Sequence, residues 1–69
     1  MRRFEIWLEG ARHTGGGFPA VHIADREAPT FREACIKVYD KDRAFDRERL
    51  TVWGCRLFDN GADARRLNG

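Results

Sequence analysis

No apolar run in this sequence approaches the ~20 residues that a membrane-spanning helix needs. There are only two prolines, two cysteines and one methionine in 69 residues. Two cysteines cannot staple a disulfide scaffold, and two prolines cannot make an extended Pro-rich linker. A secretory leader is not expected either. Arg2-Arg3 is followed by a short alternating run broken by Glu5 and Glu9, without an apolar core. The expected setting is the cytoplasm, where Cys35 and Cys55 stay reduced. An excess of one charge sign is also missing. Thirteen basic and eleven acidic residues leave a net charge of +2, too small to imply nucleic acid by itself. Lysine is scarce: Lys37 and Lys41 are the two lysines, and the other eleven basic residues are arginine. Arginine favours bidentate contacts with carboxylate or phosphate, although GC-rich coding raises its frequency as well.

Chemical signatures are equally sparse. A zinc site would draw on His13, His22, Cys35 and Cys55. Their separations of nine, thirteen and twenty residues lack the short paired spacing of structural zinc modules. Both cysteines fall among apolar neighbours, where a thiol is inert, so a Cys–His nucleophile is not expected. The acids are scattered through loops and solvent-facing positions. The reading is therefore a protein that is not an enzyme and uses no metal or cofactor. Gly15-Gly16-Gly17 beside Arg12, His13 and Thr14 allows a backbone phosphate contact in chemical terms. A phosphate loop would need a following Lys and a strand–helix setting, and neither is found here.

What remains is the pattern of one small α+β domain, residues 1–69. Phe4, Ile6 and Leu8 alternate with polar residues and Trp7, which predicts a strand over 3–9. The glycine-rich stretch 10–17 predicts a mobile hairpin connection, and 18–25 a second strand with Val21 and Ile23 inward. Thr30 and Glu33 have the capping-box spacing, so a helix is predicted over 30–41 with Phe31, Ala34, Cys35 and Val38 buried and Tyr39 flanking. Residues 40–49 hold eight charges in ten, with Phe45 pinning the loop to the core. A third strand is predicted over 50–58. A short C-terminal helix follows, capped by Asp59 or Asn60, with Ala64 and Leu67 inward. The expected architecture is β-β-α-β: a three-stranded antiparallel sheet with one packed helix, plus the short C-terminal helix.

On the third strand, Trp53, Cys55 and Leu57 are expected to face the helix with Phe4, Ile6, Leu8, Val21 and Ile23. The opposite face then collects Trp7, His22, Val52, Arg56 and Phe58. An aromatic patch of that kind marks an interaction site unless the C-terminal helix or a second copy covers it. Arg56 needs water, a ligand anion or a carboxylate from Glu5, Glu9 or Asp63.

Two resemblances add to this reading. Phe4-Glu5-Ile6-Trp7-Leu8-Glu9-Gly10, Thr30-Phe31-Arg32-Glu33-Ala34-Cys35 and the block Trp53-Gly54-Cys55-Arg56-Leu57-Phe58-Asp59-Asn60 with Asp63-Ala64-Arg65 resemble a group of small uncharacterised bacterial and phage-encoded proteins. That resemblance implies a stand-alone small protein carried on phages or mobile elements. Thr30, Glu33 and Ala34 also resemble the helix opening of HicB-like antitoxin modules, which implies the strand–hairpin–strand–helix order. The expected function is that of a non-enzymatic interaction protein, binding a host macromolecule or pairing as a homodimer. The alternative is a nucleic-acid or nucleotide binder. Trp7 and Phe58 would stack on bases, with His22 beside them and Arg56, Arg65 and Arg66 on phosphates.

Overall fold

The computed structural model describes residues 1–13 and 16–66, with the side chains of 11–13, 16–18 and 66 outside the description. In chain order the elements are β1 (Arg2–Leu8), β2 (Ala11–His13), β3 (Gly16–Phe18), β4 (Val21–Ala28), α1 (Phe31–Tyr39), β5 (Phe45–Asp46), β6 (Thr51–Val52), β7 (Cys55–Phe58) and α2 (Gly61–Arg66). The fold is α+β. Five antiparallel strands form one sheet in the order β4-β1-β7-β6-β5, while β2 and β3 pair as a separate ribbon. With a radius of gyration of 11.9 Å, the chain is close to the ~11 Å of a compact protein this long. Among the described residues no helix is long and apolar enough to cross a membrane.

β1 lies between β4 and β7 and alternates strictly. Its even-numbered side chains Phe4 and Ile6 are buried, Ile6 completely so at 0 % exposure. They meet α1, where the Phe31 ring tilts against Phe4 at 5.9 Å between centroids. Thr30 caps α1 as its spacing predicts, its Oγ1 accepting the Glu33 N–H at 3.2 Å. Ala34 and Cys35 are fully buried, and Phe31, Val38 and Tyr39 pack around them. Tyr39 stacks on Phe45 at 5.7 Å, so Phe45 does pin the charged segment to the core.

The sheet is wider than the three strands expected, and the reason lies in residues 40–58. The predicted third strand is broken at Trp53-Gly54. Val52 pairs with Cys55 across a two-residue reversal in which Trp53 and Gly54 both have positive φ, 56° and 79°. Positive φ at both central residues is the backbone of the type I′ hairpin. The reversal restarts the alternation, so the expected faces change. Val52, expected on the outer face, is core at 3 % exposure, and Trp53, expected inward, is not core. Leu57 does face inward, and Cys55 is half-buried.

The charged run also contributes structure. Asp42 Oδ1 accepts the Ala44 N–H at 2.8 Å. Asp46 Oδ1 takes the N–H groups of Glu48 and Arg49 at 3.0 and 3.1 Å. These turns let β5 pair with β6.

The second strand lies three residues later than expected, at β4, with Pro19 outside it. Ile6 pairs with Ala24 and Trp7 with His22, so Ile23 is an extra, bulged residue. Val21, expected inward, is exposed. A nine-residue helix reaches about 14 Å, whereas an eight-residue strand spans about 26 Å. Starting beside Ala28, α1 ends short of Val21.

Removing the Ile6 side chain is expected to cost ~2–5 kcal/mol in an Ile6→Ala variant, because the site is sealed on all sides. Chemical denaturation of the two proteins measures this directly. A loss below ~1 kcal/mol would contradict the central position given to β1.

Candidate functional site

The face of the sheet opposite α1 gathers most of the residues singled out from the sequence. Trp7 points there because Ile6 and Leu8 point inward. Phe58 pairs with Trp7 across the sheet, and His22 pairs with it on the other side. The Trp7 and His22 rings lie 5.1 Å apart. Trp7 Nε1 donates to Glu5 Oε1 at 2.9 Å. α2 closes over this group. Asn60, one of the two expected caps, starts the helix by accepting the Asp63 N–H on Oδ1 at 2.8 Å. Gly61 then lies so close to the indole that a Cβ on it would sit 3.0 Å from Cη2 and Cζ2. The Arg65 guanidinium lies 5.4 Å from the Trp7 ring centre, and Ala64 is fully buried. The aromatic patch is therefore partly covered by the chain's own C-terminal helix.

Arg56 has a carboxylate. Its Nε lies 3.5 Å from Glu9 Oε2. Glu9 Oε1 accepts the Arg56 backbone N–H at 3.3 Å, and the Glu9 N–H donates to the Arg56 carbonyl at 2.8 Å. Three interactions thus bind the same two residues, and the guanidinium also lies 5.9 Å from the Phe58 ring.

A second charged group sits beside Trp7. Asp25 receives His22 Nε2 at 2.7 Å on one oxygen and Arg3 at 3.2 Å on the other. The His22 hydrogen bond, with Arg3 adding to it, outweighs desolvation and holds the Asp25 carboxyl below its ordinary value of 3.8.

The sequence reading missed the aromatic residue that is most exposed among those described. Trp53, at the β6–β7 reversal, is 82 % exposed, and its backbone N–H is tied to the Ala44 carbonyl at 3.1 Å. Gly54 between alternating apolar residues is a hairpin signal in the sequence. A bulky residue before it hid the signal, because type I′ turns favour Asn, Asp or Gly there.

Other candidates are not brought together. Cys35 is buried on the inner side of α1, with its thiol pushed up to about 11 by desolvation, and His22 is on the opposite face of the sheet. No group of three or more His, Cys, Asp or Glu that could hold a metal ion is present among the described residues. Thr14 and Leu67 lie outside the described residues, as do the side chains of Arg12, His13 and Arg66. No protein-family model matches this chain, and no curated protein or solved structure matches it.

Asp25 makes stability depend on pH with a definite sign. A carboxyl whose folded pKa is lowered contributes stability that is present above its unfolded value and lost as pH falls through the folded value. The stability gap between the native protein and Asp25→Asn is therefore expected to be constant at neutral pH and to shrink below pH 3.8. Urea titrations of both proteins from neutral to acid pH test this, and a gap that widens on acidification contradicts the pairing.

Gly61→Ala tests the seat of α2. The indole is held by Glu5, His22 and Arg65, so it has little room to retreat. The expected loss is ~1 kcal/mol, even though alanine is the better helix former. Thermal melts would show it, and an unchanged or higher melting temperature would mean that the indole moves aside.

Proposed function

We propose that this chain is a small, non-enzymatic protein-binding module whose anchor is Trp53. It is read as a cytoplasmic, phage- or mobile-element-derived protein that acts by occupying, and so inhibiting, a host protein. The observation that carries the reading is the exposure of the Trp53 indole on a backbone that disfavours it. A bulky residue at positive φ costs ~1–2 kcal/mol relative to an ordinary conformation, and the exposed ring returns no burial within the chain. Such an outlier supports a functional inference, because glycine, asparagine or aspartate would close the same turn with less strain and the indole itself is 82 % exposed. Tryptophan is also the residue type most enriched among binding hot spots. The hairpin displays it rigidly, since both flanking strands are paired. Self-association through Trp53 is the form that this binding takes in a homodimer.

The nucleic-acid reading has less support. Gly61, His22 and Arg65 already occupy the surroundings of Trp7, and Glu9 holds Arg56. Both residues would have to be released before bases and phosphates could use them.

Trp53→Gly separates fold from function. Glycine accepts positive φ without strain, so stability is expected to stay level or rise by up to ~1 kcal/mol. The immobilised native protein is expected to retain one dominant protein from host lysate, or to sediment as a dimer. The variant is expected to lose that property while keeping its melting temperature. Equal retention and equal mass for both proteins would overturn the reading. A loss of more than ~2 kcal/mol would mark the indole as a structural residue instead.

A further inference from the structure

We infer that the outer edge of β4, the long open edge of the sheet, is closed to a second copy of this chain by Lys37, Arg26 and the like charges along the strand. β4 ends the sheet order, so among the described residues one side of its eight residues has no strand beside it. Which backbone groups face that side follows from the hydrogen bonding. The Glu9 N–H donates to Arg56, so odd-numbered groups of β1 point toward β7 and even-numbered ones toward β4. Phe4 pairs with Arg26 and Ile6 with Ala24, so residues 24 and 26 of β4 bond to β1. Asp25 and Glu27 therefore turn their N–H and C=O groups outward. Unpaired groups of this kind are a template for adding another chain.

The outward carbonyls of Asp25 and Glu27 are both occupied. Lys37 Nζ, reaching from α1, donates to the Glu27 carbonyl at 2.6 Å. Arg26 Nη1 donates to the Asp25 carbonyl at 2.7 Å. An incoming strand would have to displace two cations to make its first ladder bonds. The side chains add a second obstacle. In antiparallel pairing about a two-fold axis normal to the sheet, facing residue numbers have a constant, even sum. Centring on Asp25 sets Asp25 against itself. Centring on Arg26 sets Arg26 against itself and Asp25 against Glu27, and centring on Glu27 sets Glu27 against itself. Like charges directly opposite are destabilising. Each of the three registers centred on residues 25–27 is thus penalised; centring on Ala24 sets no like charges opposite, and there the occupied carbonyls of Asp25 and Glu27 are the obstacle to a second copy.

The test combines sedimentation with amide hydrogen exchange. In the native protein, exchange at the Asp25 and Glu27 amides is expected not to change as concentration rises to the millimolar range. The triple variant Arg26→Val, Glu27→Thr, Lys37→Met removes the guards and the like-charge contacts of the Arg26-centred register. Its mass is expected to rise with concentration, and its amides at 25 and 27 to slow by roughly tenfold or more. Lys41→Met, which changes a lysine away from the edge, is expected to behave as the native protein. Near-UV circular dichroism checks that each variant is folded. Lys37→Met alone, which leaves the strand untouched, is the second variant should the triple one fail to fold, and its exchange at 27 is expected to slow in the same direction. A folded variant whose mass and exchange stay native would overturn the inference. Concentration-dependent slowing at 25 and 27 in the native protein would overturn it without any variant.

Discussion

The strict alternation of β1 is the constraint on which the structure depends. Ile6 and Trp7 are adjacent in the chain and point to opposite sides of the sheet. Ile6 is sealed beneath the layer that α1 completes. Trp7 receives Gly61 and Arg65 of α2. One pair of neighbouring residues therefore seats a helix on each face. A slip of β1 by one residue would exchange the two environments and fit neither. The bulge at Ile23 pins the register from the β4 side, because two residues of β4 share one step of β1 there.

Charged residues make up 35 % of the chain, and many of them serve its backbone. Arg32 donates to the Arg47 carbonyl at 2.6 Å, in addition to the carbonyl contacts of Arg26 and Lys37. Asp42 and Asp46 collect the N–H groups of their own turns. Short strands and tight turns leave many peptide groups without ladder partners, and each needs a hydrogen bond from somewhere. In a chain this small, polar side chains supply part of what longer elements would supply elsewhere. The core can then remain small: Ile6 and Cys35 are its largest fully buried side chains.

What could be read from the sequence follows the physics of each element. β1, the Thr30 cap, the buried stripe of α1, Phe45 as a pin and the Asn60 cap were all legible, since each rests on a short-range pattern. The break at Trp53-Gly54 was not, because an apolar residue in a left-handed conformation imitates a continuing strand. That one misreading exchanged Val52 and Trp53 between core and surface. It also moved the centre of the candidate site from the Trp7 face to the hairpin tip. Asp46 hid β5 in the same way, since its turn lies within a run of alternating charges that reads as solvated loop. The partnership of Arg56 with Glu9 was legible as one of three choices, and the register of β1 with β7 selects it.

The two tryptophans report on different events. Trp7 sits between His22, Gly61 and Arg65, so its emission follows the docking of α2 and the unfolding of the sheet. Trp53 already faces water in the folded chain, and unfolding alone changes its surroundings little. A partner that covers the hairpin tip would shift the second signal and leave the first in place. The chain thus carries separate intrinsic fluorophores for folding and for recognition, and single Trp→Phe variants would isolate each one without an added label.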